Sequence, residues 1–226
     1  MKKLLKLGVL FILCISVYYI YKDTKDSSII ILNIGDGLAA GINSYGIKSY
    51  SYADYYKEYM EKKGKVELIN KYANKEQSFQ LIKEKLNNTG ELKKDLISSH
   101  IVFLCLGYND LKYKMSLEDN INNTKLNIII ESIAKDYNET INEIRKYYKN
   151  KIIVIGYYCS NKEDYYFNNG IKKLNRVLRM NKEIEFIDTY NEIKGEKYLS
   201  NPSSYFPNDS AYQLITNKII TKTLEK

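Results

Sequence analysis

The sequence of 226 residues contains one histidine, three cysteines and no tryptophan. A single imidazole excludes a multi-histidine metal site, and it leaves His100 as the only residue for serine–histidine or cysteine–histidine chemistry. Three widely separated cysteines exclude a disulfide scaffold and a zinc module built from paired cysteines. The 2 prolines and 11 glycines exclude a collagen-like or linker-like chain. We expect neither a metal nor another cofactor.

The formal net charge is +8, with lysines and acidic residues interleaved along most of the chain. No arginine-rich stripe and no run of alternating basic and aromatic residues is present, so we do not expect nucleic acid as a partner. A mildly basic, solvated surface explains this charge, and attraction to an anionic cell envelope is the alternative.

The N-terminal segment contains an uncharged, mostly apolar run over residues 7–21, which follows three lysines. A helix of this length covers about 22 Å, less than the roughly 30 Å of a hydrocarbon core, which fits a short anchor or a signal segment. Tyrosines at its end and the absence of a small-residue cleavage pattern favour an anchor. Leu13 before Cys14 disfavours a lipidation signal. We therefore divide the chain into an anchor or uncleaved signal segment (1–26) and a domain (27–226) held outside the cell membrane, or secreted if the segment is cleaved.

Apolar runs that alternate with amphipathic stretches predict a parallel β-sheet with helices on both faces. The predicted strands are 28–34, 65–70, 100–107, 151–158 and 184–190. The predicted helices are 51–63, 78–88, one or two within 116–149, 168–180 and 210–226. In such sheets ligands bind beyond the carboxyl ends of the strands, so the loops that follow them are where chemistry is expected.

Three of these segments form a recognisable set. They read NIGDGLAAG (33–41), LGYNDL (106–111) and YFPNDSAYQLI (205–215). In this order they resemble the sequence blocks of the SGNH/GDSL hydrolases, a family of esterases and lipases, over about residues 28–220. The resemblance implies a flavodoxin-like three-layer α/β/α sandwich with a parallel sheet of about five strands. Asn175 and Asp188 lie where the resemblance also expects polar residues.

The residues of the catalytic machinery depart from the family pattern. The nucleophilic serine corresponds to Gly37, the histidine base to Phe206, and its acidic partner to Ser203. The second block offers Asn74 or Lys75 where the family has an oxyanion-hole glycine. Gly107, Asn109 and Asp110 match the third block. The resemblance thus implies a family member that retains no catalytic residue.

The only histidine does not repair this loss. His100 begins the third predicted strand, whereas Asn109 follows its far end, roughly 20 Å away at about 3.3 Å per residue. A serine–histidine–aspartate mechanism is therefore not available to a monomer. A relocated site would use a serine on the loops, with Lys75 or Asp36 as base. The candidates for it are Ser44, Ser78, Ser203 and Ser204. Cys105 and Cys159 are interpreted as structural.

The residues that remain still offer a binding site. Gly37 N–H, expected at a helix N-terminus, and the Asn109 amide would provide two donors for a carbonyl, a carboxylate or a sugar hydroxyl. Phe206 and the tyrosines 108, 157, 158 and 205 would surround them with aromatic faces. The predicted ligand-binding residues are Asp36, Gly37, Lys75, Gly107, Tyr108, Asn109 and Phe206. We predict an inactive, membrane-tethered relative of the esterases that binds an acylated or glycan ligand or a protein partner. The alternatives are an active acetyl or acyl esterase with a relocated site, and a scaffold whose pocket is filled by Phe206.

Overall fold

Five parallel strands form the centre of the structure, a computed structural model that describes residues 28–88, 90–159, 165–201 and 203–224. The predictions for residues 1–26 lie outside the described residues. The strands are β1 (Ile29–Gly35), β2 (Val66–Ala73), β3 (Ile101–Cys105), β4 (Ile152–Ile155) and β5 (Ile184–Ile187).

The sheet has the strand order β2-β1-β3-β4-β5, and all its pairs are parallel. This is the flavodoxin-like order, in which the chain switches direction beside the first strand. Gly35 at the end of β1 pairs with Ala73 of β2 and with Cys105 of β3. The three loops that follow these strands therefore begin at the same level, which brings the sequence motifs to one edge of the sheet.

Helices cover both faces of the sheet. They are α1 (Tyr52–Glu61), α2 (Phe79–Asn88), α3 (Gly90–Ser98), α4 (Tyr108–Ser116), α5 (Asn123–Arg145), α6 (Tyr165–Arg179) and α7 (Asp209–Leu224). Helices α1 and α7 pack together as one layer, whereas α2, α4, α5 and α6 contact one another as the other. The predicted three-layer α/β/α fold with five strands is confirmed.

Local sequence explains where the helices begin. Ser51 caps α1, since its side chain accepts from the N–H groups of Ala53 and Asp54 while the Asp54 carboxylate accepts from Ser51 N. Asn122 caps α5 by accepting from Lys125 N at 3.0 Å. None of the helices in the described ranges is long and apolar enough to cross a membrane.

The structure corrects several predicted boundaries. Strand β2 continues three residues beyond the predicted end at Asn70, because Tyr72 and Ala73 still pair with β1. Strand β3 ends at Cys105, before the predicted end at Gly107, and β5 ends at Ile187. Helices α3 and α4 were not predicted. The region 116–149, predicted to contain one or two helices, contains the last residue of α4 and one complete helix, α5 (Asn123–Arg145).

Candidate functional site

The loop after β1 begins with a buried carboxyl group. Asp36 is only 2% exposed, and its side chain accepts hydrogen bonds from Leu38 N and from the hydroxyl of Tyr157. Burial raises its pKa to about 7, and the nearby Asp110 adds to the rise, although the Tyr157 bond opposes it. Asp36 therefore forms the floor of the site and carries only part of a negative charge near neutral pH.

Gly37 lies directly beneath the ring of Phe206. A Cβ atom at this position would be 2.5 Å from Phe206 Cε1 and 2.9 Å from Cζ. Any side chain at position 37 thus requires the Phe206 ring to move, because non-bonded carbons normally stay above about 3.5 Å apart. The two residues predicted to occupy the family's nucleophile and base positions are therefore neighbours, a contact that the sequence alone did not establish.

The backbone after Gly37 differs from the predicted helix N-terminus. Residues 37–41 form a turn, in which Ile42 N donates to Gly37 O at 3.0 Å, and the next helix starts only at Tyr52. The prediction that Gly37 N–H lies at the N-terminus of a helix is therefore wrong. Gly37 N–H has no acceptor among the residues that the structure describes, so it remains a donor beside the cleft.

The loop after β3 holds neighbouring backbone in place. Gly107 has φ +122°, a conformation that favours glycine. Asn109 Nδ2 donates to Lys75 O and to Gln77 O, both at 2.8 Å, which matches the two N–H bonds of its amide. The expected role of this amide as a donor to a ligand is thus not what the geometry shows.

Asp110 completes this arrangement from the first turn of α4. Its carboxylate accepts from Phe79 N, at 3.3 Å for Oδ1 and 3.4 Å for Oδ2, and so satisfies a free N–H at the start of α2. Burial raises the pKa of Asp110 to about 6. Asn109 and Asp110 together fix the 75–79 segment against α4.

A cleft of about 210 Å³ opens above these loops. It is lined by Asp36, Gly37, Leu38, Lys75, Glu76, Tyr108, Asn109, Lys112, Tyr157, Tyr158, Phe167, Tyr205 and Phe206. Of the seven predicted ligand-binding residues, all but Gly107 line it. Gly107 acts instead through the backbone conformation that starts α4. The half-buried Phe206 forms part of the wall and leaves the cleft open.

An aromatic cluster forms one wall of the cleft. The ring of Tyr108 lies 5.3 Å from Phe167, 5.9 Å from Tyr157 and 6.1 Å from Tyr205, measured between centroids. The hydroxyl of Tyr157 donates to Asp36 and that of Tyr158 to the Tyr205 carbonyl, so both are used inside the protein. Tyr157 and Tyr158 therefore present ring carbon, rather than a free hydroxyl, to a ligand.

The serines considered for a relocated site do not form catalytic pairs. Ser44 is buried with its Oγ 3.4 Å from Ser200 Oγ. Ser78 and Ser204 each accept from a nearby backbone N–H, of Leu81 and of Phe206. Ser203 is exposed. Across the described part of the chain, none of the four hydroxyls is hydrogen-bonded to an imidazole, a lysine or a carboxylate.

His100 lies at the other end of the sheet, as predicted. It precedes β3, is exposed, and accepts from Ile30 N through Nδ1 at 3.0 Å. Cys105 is fully buried, and burial raises the pKa of its thiol, which disfavours a nucleophilic role. Within the described ranges no group of three or more His, Cys, Asp or Glu residues is positioned to hold a metal ion.

Four residues of the cleft were missed from the sequence: Leu38, Glu76, Lys112 and Phe167. Leu38 directly follows Gly37 in the first motif. Lys112 follows Tyr108 by four residues, so it lies on the same face of α4, but that helix was not predicted. Phe167 belongs to the first turn of α6, before the predicted start of that helix. Glu76 follows Lys75 on the loop after β2, and the end of that strand was predicted three residues too early.

The chain belongs to the GDSL-like lipase/acylhydrolase family, whose model matches residues 31–219. Among solved structures it resembles the lipase Lip_vut3 from a goat rumen metagenome, with a TM-score of 0.71 and 18% identity over 86% of this chain and 97% of that one. A catalytic mutant of Axe2, an acetylxylan esterase from Geobacillus stearothermophilus, gives 0.64 and 14% over 88% and 95%. A lipase/acylhydrolase from Enterococcus faecalis gives 0.59 and 18% over 87% and 95%. No curated protein matches the chain.

Proposed function

We propose that this GDSL-family chain binds a ligand in the cleft above Asp36 and does not hydrolyse esters there. The observation that carries this proposal is the contact between Gly37 and Phe206. The ring occupies the space that a nucleophilic side chain at position 37 would need. The two substitutions therefore support each other sterically.

The chemical requirements of acyl transfer also support the proposal that the cleft does not hydrolyse esters. A serine hydroxyl is a weak nucleophile unless a base lies within about 3.2 Å, and the tetrahedral intermediate needs donors for its oxyanion. No such serine and base occur together among the described residues of the cleft. The amide of Asn109 is engaged by two backbone carbonyls, so Gly37 N–H has no second donor from this amide beside it.

An open, aromatic-lined cleft favours binding over a pure scaffold role. Phe206 forms a wall and leaves a cavity of about 210 Å³, with lysine and tyrosine side chains around it. Pockets of this kind, apolar with a few polar groups, are the usual form of small-molecule sites. The ligand that we propose is an acylated or glycan component of the cell envelope. One structural relative is an acetylxylan esterase, and acetylxylan is likewise an acylated glycan.

The location that we propose is the outer face of the cell membrane, with residues 7–21 as the anchor. Lysines before this apolar run orient the domain to the outside. Secretion after cleavage of the segment is the alternative. Both follow from the sequence of residues that the structure does not describe.

The test is hydrolysis of p-nitrophenyl acetate by the purified full chain. We expect the natural chain to hydrolyse this ester no faster than variants that each lack one candidate serine. These variants are Ser44→Ala, Ser78→Ala, Ser203→Ala and Ser204→Ala. A triple variant, Gly37→Ser/Ser203→Asp/Phe206→His, is expected to gain slow, saturable turnover, because removal of the ring frees the space for the new serine. Gly37→Ser alone is expected to stay inactive. Turnover by the natural chain that one serine substitution abolishes would contradict the proposal.

A further inference from the structure

Two lysines at the rim of the cleft have no ionic partner. Lys75 and Lys112 both line the cavity, and neither makes an ion pair within the described part of the chain. Other lysines differ, since Lys71 and Lys83 each contact two carboxylates. Lys75 Nζ instead lies 5.9 Å from the centroid of the Phe206 ring. The two ammonium groups are therefore available to an anion in the cleft.

The acidic groups nearby do not cancel this positive charge. Glu76 also lines the cleft and opposes one of the lysines. Asp36 at the floor is buried, and because burial raises its pKa to about 7, part of its population is neutral at that pH. The lining thus carries a net positive charge near neutral pH.

The walls suit an apolar body better than a polyhydroxylated one. The hydroxyls of Tyr157 and Tyr158 and the amide of Asn109 are already hydrogen-bonded inside the protein. Phe167 and Tyr205 pack against one another with centroids 5.9 Å apart and leave ring carbon at the surface. A sugar would find the polar groups of Tyr157, Tyr158 and Asn109 already engaged, whereas a hydrocarbon gains free energy when it leaves water for the aromatic wall. Within the proposed function, this favours the acylated over the glycan alternative.

A second cavity, of about 260 Å³, continues this apolar surface. It shares Tyr108, Lys112, Phe167 and Tyr205 with the first cavity. It adds Met115, Ser116 and Ile121. Lys112 therefore lies where the two cavities adjoin, with an aromatic wall on one side and aliphatic side chains on the other.

We infer that the two cavities together bind a long-chain carboxylate, with its head between Lys75 and Lys112 and its chain against the aromatic wall toward Met115 and Ile121. Gly37 N–H adds a backbone donor for an oxygen that reaches the floor. This inference rests on the proposed function, because it treats the cleft as a site that binds its ligand and releases it unchanged.

The experiment measures displacement of a fluorescent fatty acid from the full chain by dodecanoate. Hexanoate and dodecan-1-ol serve as comparison ligands, and glucuronate represents an anionic sugar. The variant Lys75→Met/Lys112→Met removes both rim charges. The control Lys94→Met/Lys135→Met removes two exposed lysines that line neither cavity.

We expect dodecanoate to bind more than tenfold tighter than hexanoate, because its six additional methylenes leave water for the apolar walls of the two cavities. The rim variant should weaken dodecanoate by about fivefold, a modest effect because both lysines are solvent-exposed, and leave dodecan-1-ol unchanged. The control variant should bind as the natural chain does. Equal affinity for dodecanoate in the rim and control variants would overturn the inference, as would tighter binding of glucuronate than of dodecanoate.

Hydrolysis of p-nitrophenyl dodecanoate, measured on the same preparation, separates this inference from the proposed function. Hydrolysis would overturn the proposed function whatever the binding result. Failure of dodecanoate to bind, in a preparation that hydrolyses no ester, would overturn only the ligand assigned here.

Discussion

Two segments of the candidate site contrast with each other. The loop after β3 carries Gly107, Asn109 and Asp110, which are predicted to match the family's third block, whereas the segment before α7 carries Ser203 and Phe206, which are predicted to occupy its acid and base positions. In the loop after β3, the side chains of Asn109 and Asp110 form hydrogen bonds to the backbone of residues 75–79. In the segment before α7, Ser203 is exposed and Phe206 contributes a ring to the cleft wall.

We interpret the contrast to mean that the residues predicted to match the family pattern are those whose side chains hold backbone segments in place. Asn175 illustrates this further, because it is buried, accepts from Tyr157 N at 2.8 Å and donates to Tyr157 O at 2.6 Å. Loss of such a residue leaves buried backbone groups without partners, which costs about 1–3 kcal/mol for each group. A residue needed only for acyl transfer has no such effect on folding, so its substitution leaves the fold intact.

The largest effect is expected at Asp36, through the pH dependence of stability. Its pKa is raised to about 7 in the folded protein, whereas in the unfolded chain it returns to about 4. The folded state therefore binds the proton more tightly, and stability falls as the pH rises from about 4 to about 7, by up to about 4 kcal/mol in total. Denaturant unfolding of Asp36→Asn between these pH values should lack this part of the decline. The same slope in both proteins would show that Asp36 ionises freely.

Next in size is Asn175→Ala, for which we expect a loss of about 3 kcal/mol, because two buried backbone groups of Tyr157 lose their partners. Equilibrium unfolding in urea measures it. Asn217→Ala, on an exposed turn of α7, is a matched control and should stay within about 0.5 kcal/mol of the natural chain. If Asn175→Ala lowered the free energy of unfolding no more than Asn217→Ala, the structural role assigned to Asn175 would be contradicted.

A direct comparison of the two segments comes from Asn109→Ala and Phe206→Ala. We expect about 2 kcal/mol of destabilisation for Asn109→Ala, since Lys75 O and Gln77 O each lose a donor. Phe206→Ala should cost about 1 kcal/mol, because the ring is only half-buried. Thermal or urea unfolding gives both values. The opposite order would mean that the Phe206 ring, and not the Asn109 amide, holds the site together.

The smallest effect is expected for Ser203→Ala, within about 0.5 kcal/mol, because the residue is exposed and its side chain has no partner in the described part of the chain. Ligand binding should not change either. A large loss of binding would assign Ser203 a role in the cleft that its position does not indicate.

Much of the fold could be predicted from the sequence because strand periodicity is local. The apolar runs that became β1 and β4 were identified, and the topology of parallel sheets then placed the motifs at one edge. Helix α4 was missed because it is short, polar on its exposed face and begins at Gly107 without a side-chain cap. The end of β2 was missed because Asn70 and Lys71 interrupt its apolar run, although Tyr72 and Ala73 beyond them still pair with β1.

The candidate site was predictable in its membership and not in its contacts. Asp36, Gly37, Tyr108 and Phe206 were placed by motif position, and the structure brings them to one cleft. The Phe206 ring over Gly37 and the engagement of the Asn109 amide depend on loops more than 30 residues apart in sequence. Such contacts follow from tertiary packing and leave no pattern in the sequence.

The most direct test of the central claim is covalent labelling of the full chain by a fluorophosphonate that traps activated serines, read out by intact mass. A GDSL esterase with a complete triad serves as the positive control. The account predicts no adduct on this chain under conditions that label the control fully. A stoichiometric adduct on any serine would contradict it, and would show that the cleft or another site has kept an activated nucleophile.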